Sequence, residues 1–265
     1  MSLNEVNDHF IFIYGLEPSE LCSNFRFDSG NFWTLESPVR IASFSVWKSM
    51  LVVFYGTIVG KYSFDGLSEE AHYFATAIVT CYGLFTGKPI QLTRKNWVGV
   101  EGQTTKTIAG TFQNPSNPPT NHTDNDVLKR IATLMPLILK TPPLARALQD
   151  YHSCLSKVDP DFYFYAYRAV EDIRSYFGAT ENDDERRNAW NSMNKALNRE
   201  KKDYTELFDF AKESRHANKL GEVVDQEAAQ KQVTFVGSLI VAFIKYLSES
   251  NHPSKLDSPK NPPPT

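Results

Sequence analysis

Cysteine is scarce: the 265 residues hold three, Cys22, Cys81 and Cys154, at spacings that make neither a disulfide framework nor a Cys-x-x-Cys metal half-site. The six histidines are scattered, with no His-x-x-x-His pair, so no metal is expected. An excess of one charge sign is missing too. Against 31 Asp plus Glu stand 28 Lys plus Arg, a formal net charge of -3, which excludes a global basic field drawing the chain to nucleic acid and leaves only local patches. No Ser or Cys has the glycine context of a nucleophile elbow, so acyl transfer has no candidate. The string Gly83-Leu84-Phe85-Thr86-Gly87-Lys88-Pro89 invites a phosphate-loop reading, but it has three residues between its glycines where four are needed. Pro89 also stands where a Ser or Thr would hold magnesium. A helix C-cap and turn is expected there, and no cofactor.

Long apolar runs are lacking as well. The most membrane-like stretch, Val233 to Leu247, reads as a helix of about 22 Å, short of a hydrocarbon core of ~30 Å and interrupted by Lys245, so a buried helix and no membrane contact are expected. The polar start Met1 to Asp8 carries no positive charge before Phe10 to Tyr14 and does not read as a secretory signal, which together with the few cysteines predicts a cytoplasmic location.

What the chain does hold is material for a core, with 41% hydrophobic and 13% aromatic residues in two regimes of pattern. They meet at Asn114 to Asn121, whose prolines and small polar residues continue neither a helix nor a central strand. Upstream, His9–Tyr14, Phe32–Leu35, Val39–Trp47, Leu51–Gly60, Gln91–Gly99 and Thr104–Phe112 are rich in aromatic and β-branched residues and predict antiparallel β structure. One helix interrupts them, with Ser68 as N-cap, a stripe of Ala71, Phe74, Ala75, Ile78, Val79 and Tyr82, and Gly83 or Gly87 as its end. Downstream of Asp124 the period becomes helical: Val127 to Ile138 before a Pro142-Pro143 break, Leu144 to Leu155, Tyr163 to a C-cap at Gly178, Asn182 with Glu185 as a capping box, Tyr204 to about Asn218, and Val223 to about Ser248. The expectation is an α+β protein: a β-rich N-terminal domain with one helix over 1–115, an α-helical bundle over 116–249, and a disordered proline-rich tail over 250–265.

Three features of the helical half belong together: the helix Tyr167-Arg168-Ala169-Val170-Glu171-Asp172-Ile173-Arg174, the helix around Trp190, and Ser214-Arg215-His216 ahead of a long last helix. Their order over roughly Phe162 to Leu247 resembles the HEPN superfamily, in the form of the C-terminal domains that follow an unrelated β-rich region. The resemblance implies a four- or five-helix bundle, usually dimeric, and in many members a metal-independent ribonuclease found in toxins, RNA processing and antiviral defence. The superfamily's motif is an Arg, a polar residue, and a His about 4–6 positions beyond the Arg. Arg215 takes the first place and His216 the second. Lys219, Leu220 and Gly221 occupy the window of the second His, so the motif is degenerate. The resemblance also implies that Glu171, beside Arg174, supports the arginine. An Arg can stabilise charge developing on a scissile phosphate, and only His216 could exchange a proton near neutral pH.

Two functions follow. The first is an HEPN-like homodimer associated with RNA or nucleotide, in stress or defence, with ribonuclease activity weak or lost. The second is a non-catalytic assembly module whose β-domain binds a ligand or protein. An ion pair between Arg215 and Glu171 or Glu213 is the plain structural alternative to a site. The aromatic run Phe162 to Tyr167 reads as core and dimer interface before it reads as a base-stacking platform.

Overall fold

The computed structural model describes residues 8–17, 33–35, 40–47, 50–57, 64–101, 104–106, 122–156, 161–178, 182–215 and 226–250. The protein is α+β. It divides into two compact units, Met1–Lys140 and Thr141–Thr265.

The first unit holds one antiparallel sheet built from β1 (Asp8–Glu17), β2 (Trp33–Leu35), β3 (Arg40–Trp47), β4 (Met50–Thr57), β5 (Gln91–Glu101) and β6 (Thr104–Lys106), in the order β2-β3-β4-β1-β5-β6. The chain's first strand lies between β4 and β5, and its run His-Phe-Ile-Phe-Ile-Tyr suits a strand flanked on both edges. Phe12, Tyr14 and Leu16 are buried at alternate positions, and Ile13 is buried as well. The register with β5 shifts between Ile13 and Tyr14, where Asn96 and then Arg94 are the partners, leaving Lys95 as the extra residue of a bulge.

Helix α1 (Phe64–Thr86) packs on β1, β4 and β5. Its expected stripe is the buried face: Ala71, Phe74, Ala75, Ile78, Val79 and Tyr82 are all in the core, with the Phe74 ring edge-on to Phe44 at 6.1 Å. The helix starts four residues before Ser68, which lies within it as a buried residue and not as its cap. Gly87 ends it. Its φ of 68° is in the left-handed region that favours glycine, and its N–H donates to Gly83 O at 2.8 Å, so the phosphate-loop lookalike is a helix C-cap.

Helix α2 (His122–Lys140) was expected to open the helical domain but belongs to the first unit. It packs on α1, with the Arg130 guanidinium 4.2 Å over the Phe85 ring, and Leu128 joins Leu16, Val46, Leu51, Ile78, Val79, Tyr82 and Ile90 around an apolar void of about 20 Å³. A helix whose apolar stripe fits a neighbour in the sheet unit goes with that unit, whatever its period shares with later segments. The expected boundary at Asn114 to Asn121 lies outside the described residues, as does the tail beyond Ser250.

Among the described residues the elements of the second unit are helices: α3 (Pro142–Ser156), α4 (Asp161–Tyr176), α5 (Asp183–Leu197), α6 (Lys202–Arg215) and α7 (Gln226–Ser250). Pro142 and Pro143 begin α3, where a missing N–H costs nothing. Helix α4 ends at Tyr176, and Gly178 follows with its backbone close to α5: a β-carbon there would lie 3.2 Å from Ala189 Cβ. Asn182 caps α5, its Oδ1 accepting from Glu185 N at 2.9 Å, which is the forward half of the expected capping box. Phe162 and Tyr163 are core residues, as expected of the aromatic run.

Helix α7 runs close to the expected Val223 to about Ser248. At 25 residues it is the one helix among the described residues long and apolar enough to cross a membrane. It packs on α3, α4 and α5, burying Val236, Leu239, Ile240, Phe243 and Leu247, with Lys245 exposed. The approach of α7 to α3 turns on Gly237, because an added β-carbon would lie 2.8 Å from Tyr151 Oη and 3.2 Å from its Cζ. Gly237→Ala is therefore expected to destabilise the protein by about 1–3 kcal/mol in urea melts, with part recovered when Tyr151→Phe removes the nearer atom. An unchanged midpoint would mean that the two helices separate at no cost.

Candidate functional site

Helix α5 presents Asp183, Arg186, Arg187, Trp190, Asn191 and Asn194 at a spacing of three and four residues, so they share one face. Its other face, Ala189, Met193 and Leu197, is buried. The connection to α6 is short. Asn198 takes a left-handed conformation (φ 51°), both it and Arg199 donate backbone N–H groups to Asn194 O, and Asp203 Oδ2 accepts from Glu200 N at 2.9 Å. This turn fixes Lys201 and, on α6, Tyr204 and Phe208 against α5.

Those nine side chains line a pocket of about 290 Å³. Its aromatic wall is locked: Trp190 meets Tyr204 edge-on at 5.3 Å and Phe208 at 5.4 Å, and Tyr204 and Phe208 stack at 5.9 Å. Tyr167 holds Phe208 from α4 at 5.3 Å, and Phe235 holds Tyr204 from α7 at 5.4 Å. Three cations, Arg186, Arg187 and Lys201, stand exposed at the rim with one carboxylate, Asp183. Arg187 is tied to Asp184 at 3.0 Å, whereas Arg186 and Lys201 have no ion-pair partner among the described residues. Aromatic faces with cations and amides beside them are what a planar, phosphorylated ligand requires.

Two polar atoms of pocket-lining residues are buried with no hydrogen-bond partner among the described residues, the Tyr204 hydroxyl and Asn194 Oδ1. Tyr204 is 1% exposed, and burial pushes its phenol well above the ordinary range, so the hydroxyl keeps its proton and can donate. Leaving such a group unmet costs about 1–3 kcal/mol.

The residues expected from the HEPN resemblance are placed as follows. Arg215 is the last residue of α6, and its side chain lies outside the described residues, as does His216. Glu171 lies on α4, and its Oε2 accepts from Arg174 Nη2 at 2.8 Å and Nε at 3.1 Å. Arg174 is buried, its guanidinium carbon is 5.9 Å from the Trp190 ring centre, and its Nη1 has no hydrogen-bond partner among the described residues. Glu171 thus serves the arginine one turn along its own helix, which also stands beside the pocket's tryptophan.

Sequence reasoning missed the pocket. Trp190 was read for its apolar period, although the i, i+3, i+4 recurrence of Arg186, Arg187, Trp190, Asn191 and Asn194 was a signal available in the sequence.

A second cluster joins α3 to α4. Arg146 Nε donates to Asp172 Oδ1 at 2.9 Å, and Arg168 Nε lies 3.1 Å from Asp150 Oδ2. Burial pushes the Asp150 carboxyl up to about 6 against the pull of Arg168, with Asp172 adding to the rise. These groups tie two helices together and line no described cavity.

Fold and site define an α+β protein whose helical unit carries an aromatic, cationic pocket. Residues 131–248 are similar to the C-terminal domain of a family described as a domain of unknown function, DUF8168. No curated protein and no solved structure matches the chain.

The Asp150 carboxyl yields a pH prediction. Its folded value of about 6 exceeds the ordinary 3.8, so the folded state holds that proton more tightly and loses stability as pH rises from about 4 through about 6. Asp150→Asn should remove this loss, and its stability relative to the wild type should improve by roughly 1–3 kcal/mol between pH 4 and pH 7 in urea melts. A pH-independent difference would show that Asp150 ionises freely in the fold.

Proposed function

We propose that the protein is an HEPN-like protein associated with RNA or nucleotide, acting in the cytoplasm in stress or defence, and that the α5–α6 pocket is where a nucleotide lodges. The observation that carries this is the pocket itself: a fixed aromatic wall, two cations at its rim without an ion-pair partner among the described residues, and a volume of about 290 Å³. The degenerate motif limits any chemistry. Arg215 would stabilise phosphate charge, but with Lys219, Leu220 and Gly221 where a second His belongs, one imidazole per chain must do the work of a two-residue device. Ribonuclease activity is accordingly weak or absent.

Single-stranded RNA should bind with Trp190→Ala weakening it roughly 5- to 150-fold, the value of one base–aromatic stack. The logarithm of affinity should fall with the logarithm of salt at a slope of roughly -2, for three cations meeting a single strand. In chelator, RNA cleavage should be slow or nil. Equal binding by the variant, in a protein still folded by circular dichroism, would remove the pocket from the function. Robust chelator-resistant cleavage surviving both Arg215→Ala and His216→Ala would remove those residues.

Self-association of the helical unit belongs to the same reading, supported by the exposed apolar side chains of Tyr176 (43%) and Val241 (40%). Light scattering at micromolar concentration should return a dimer, and a strict monomer would end that part of the reading.

A further inference from the structure

We infer that the α5–α6 pocket is a short track for single-stranded RNA, in which Trp190 stacks a base between one phosphate held by Arg186 and another held by Lys201. This rests on the nucleotide reading above and specifies its ligand as a strand and not a free nucleotide.

The inference begins with where the two cations stand. Arg186 lies one turn before Trp190 on the same face of α5, toward the start of the helix. Lys201 lies beyond the end of α5, in the connection where Arg199 N donates to Asn194 O and Lys201 O accepts from Tyr204 N. Trp190 meets Tyr204 at 5.3 Å and Phe208 at 5.4 Å across the two helices, so the aromatic wall is set between the cations. From Arg186 to Asn194, the last α5 residue to line the pocket, the helix rises about 12 Å. Arg186 and Lys201 are exposed, and Trp190 and Phe208 are half-buried, so a ligand reaches both charges and the rings from solvent.

Cations at opposite ends of a wall suit two phosphates better than one. A stacked strand advances ~3.4 Å per nucleotide and carries a phosphate at every step, so about 12 Å takes in roughly three to four steps. A mononucleotide has its phosphate at one end only and leaves the other cation unmet. Arg187, tied to Asp184 at 3.0 Å, adds to the Arg186 end. Carboxylates close the track on both sides: Asp183, Asp184 and Glu185 occupy the first turn of α5, and Glu200 and Asp203 flank Lys201. Phosphates beyond either end meet like charge, which keeps the bound segment short. A base in a duplex has both faces covered by its neighbours and cannot lie on Trp190.

The test titrates the full-length protein with 5′-phosphorylated oligouridylates of one to six nucleotides and with an RNA duplex, by calorimetry and by competition against a fluorescein-labelled hexamer. Affinity should climb roughly 10-fold or more from the monophosphate to about four nucleotides, the value of an added charge-assisted contact, and then level off. The slope of the logarithm of hexamer affinity against the logarithm of salt should shrink by about 0.7 in Arg186→Gln and in Lys201→Gln, and by about 1.4 in the double variant. Both positions are exposed, so the melting temperature should stay near that of the wild type. A monophosphate that binds as tightly as the hexamer and weakens in both variants would put both cations on one phosphate, and would overturn the track while leaving nucleotide association intact. A hexamer slope unchanged in either variant, or a duplex that binds as well as the hexamer, would overturn it too. No binding of any probe by the wild type would overturn the proposed function itself.

Discussion

Arg174 is a charge buried in the helix that every other helix of its unit touches: α4 packs on α3, α5, α6 and α7. A guanidinium there must be met inside the protein, and Glu171, one turn earlier, meets it with two hydrogen bonds to one carboxylate oxygen. An unpartnered buried charge costs about 3–5 kcal/mol, so the pair constrains how α4 can rotate and what can stand over it. Trp190 stands over it, 5.9 Å from the guanidinium carbon, and through Trp190 the constraint passes to Tyr204 and Phe208. The pocket wall is therefore an extension of the core and not a loop arrangement, which keeps its geometry fixed before any ligand arrives.

The same constraint separates two kinds of charge in the helical unit. Arg146, Arg168, Asp150 and Asp172 are matched to one another across α3 and α4, and their energy goes into holding those helices together. Arg186 and Lys201 are unmatched among the described residues and stand beside aromatic faces. The first group resembles the ion pairs that many bundles contain, and the second has the disposition of a site that awaits an anion. Glu171 illustrates how a resemblance and a structure can differ in emphasis. Helix order made it a support for Arg215, and the geometry gives it a close partner in Arg174.

Much of the fold was legible because burial leaves a period in the sequence. The stripe of α1 from Ala71 to Tyr82 was read residue by residue, as were the Asn182 cap and the glycine end of α1, since each rests on a local rule. One reading failed where the deciding partner is distant. Helix α2 has the same period as α3, and only its packing on α1 shows to which unit it belongs. The pocket was legible only in part. The shared face of Arg186, Trp190 and Asn194 is written in their spacing, but the unmet Tyr204 hydroxyl is a fact of three dimensions that no sequence pattern carries.

Nucleotide recognition by the α5–α6 wall is tested most directly by hydrogen–deuterium exchange of the full chain with and without a single-stranded oligonucleotide. Slowed exchange over 183–208, where the turn and both pocket helices lie, with the strands of the sheet unchanged, is the expected result. Exchange unchanged over 183–208 at a saturating concentration of strand, or protection confined to the sheet unit, would contradict it.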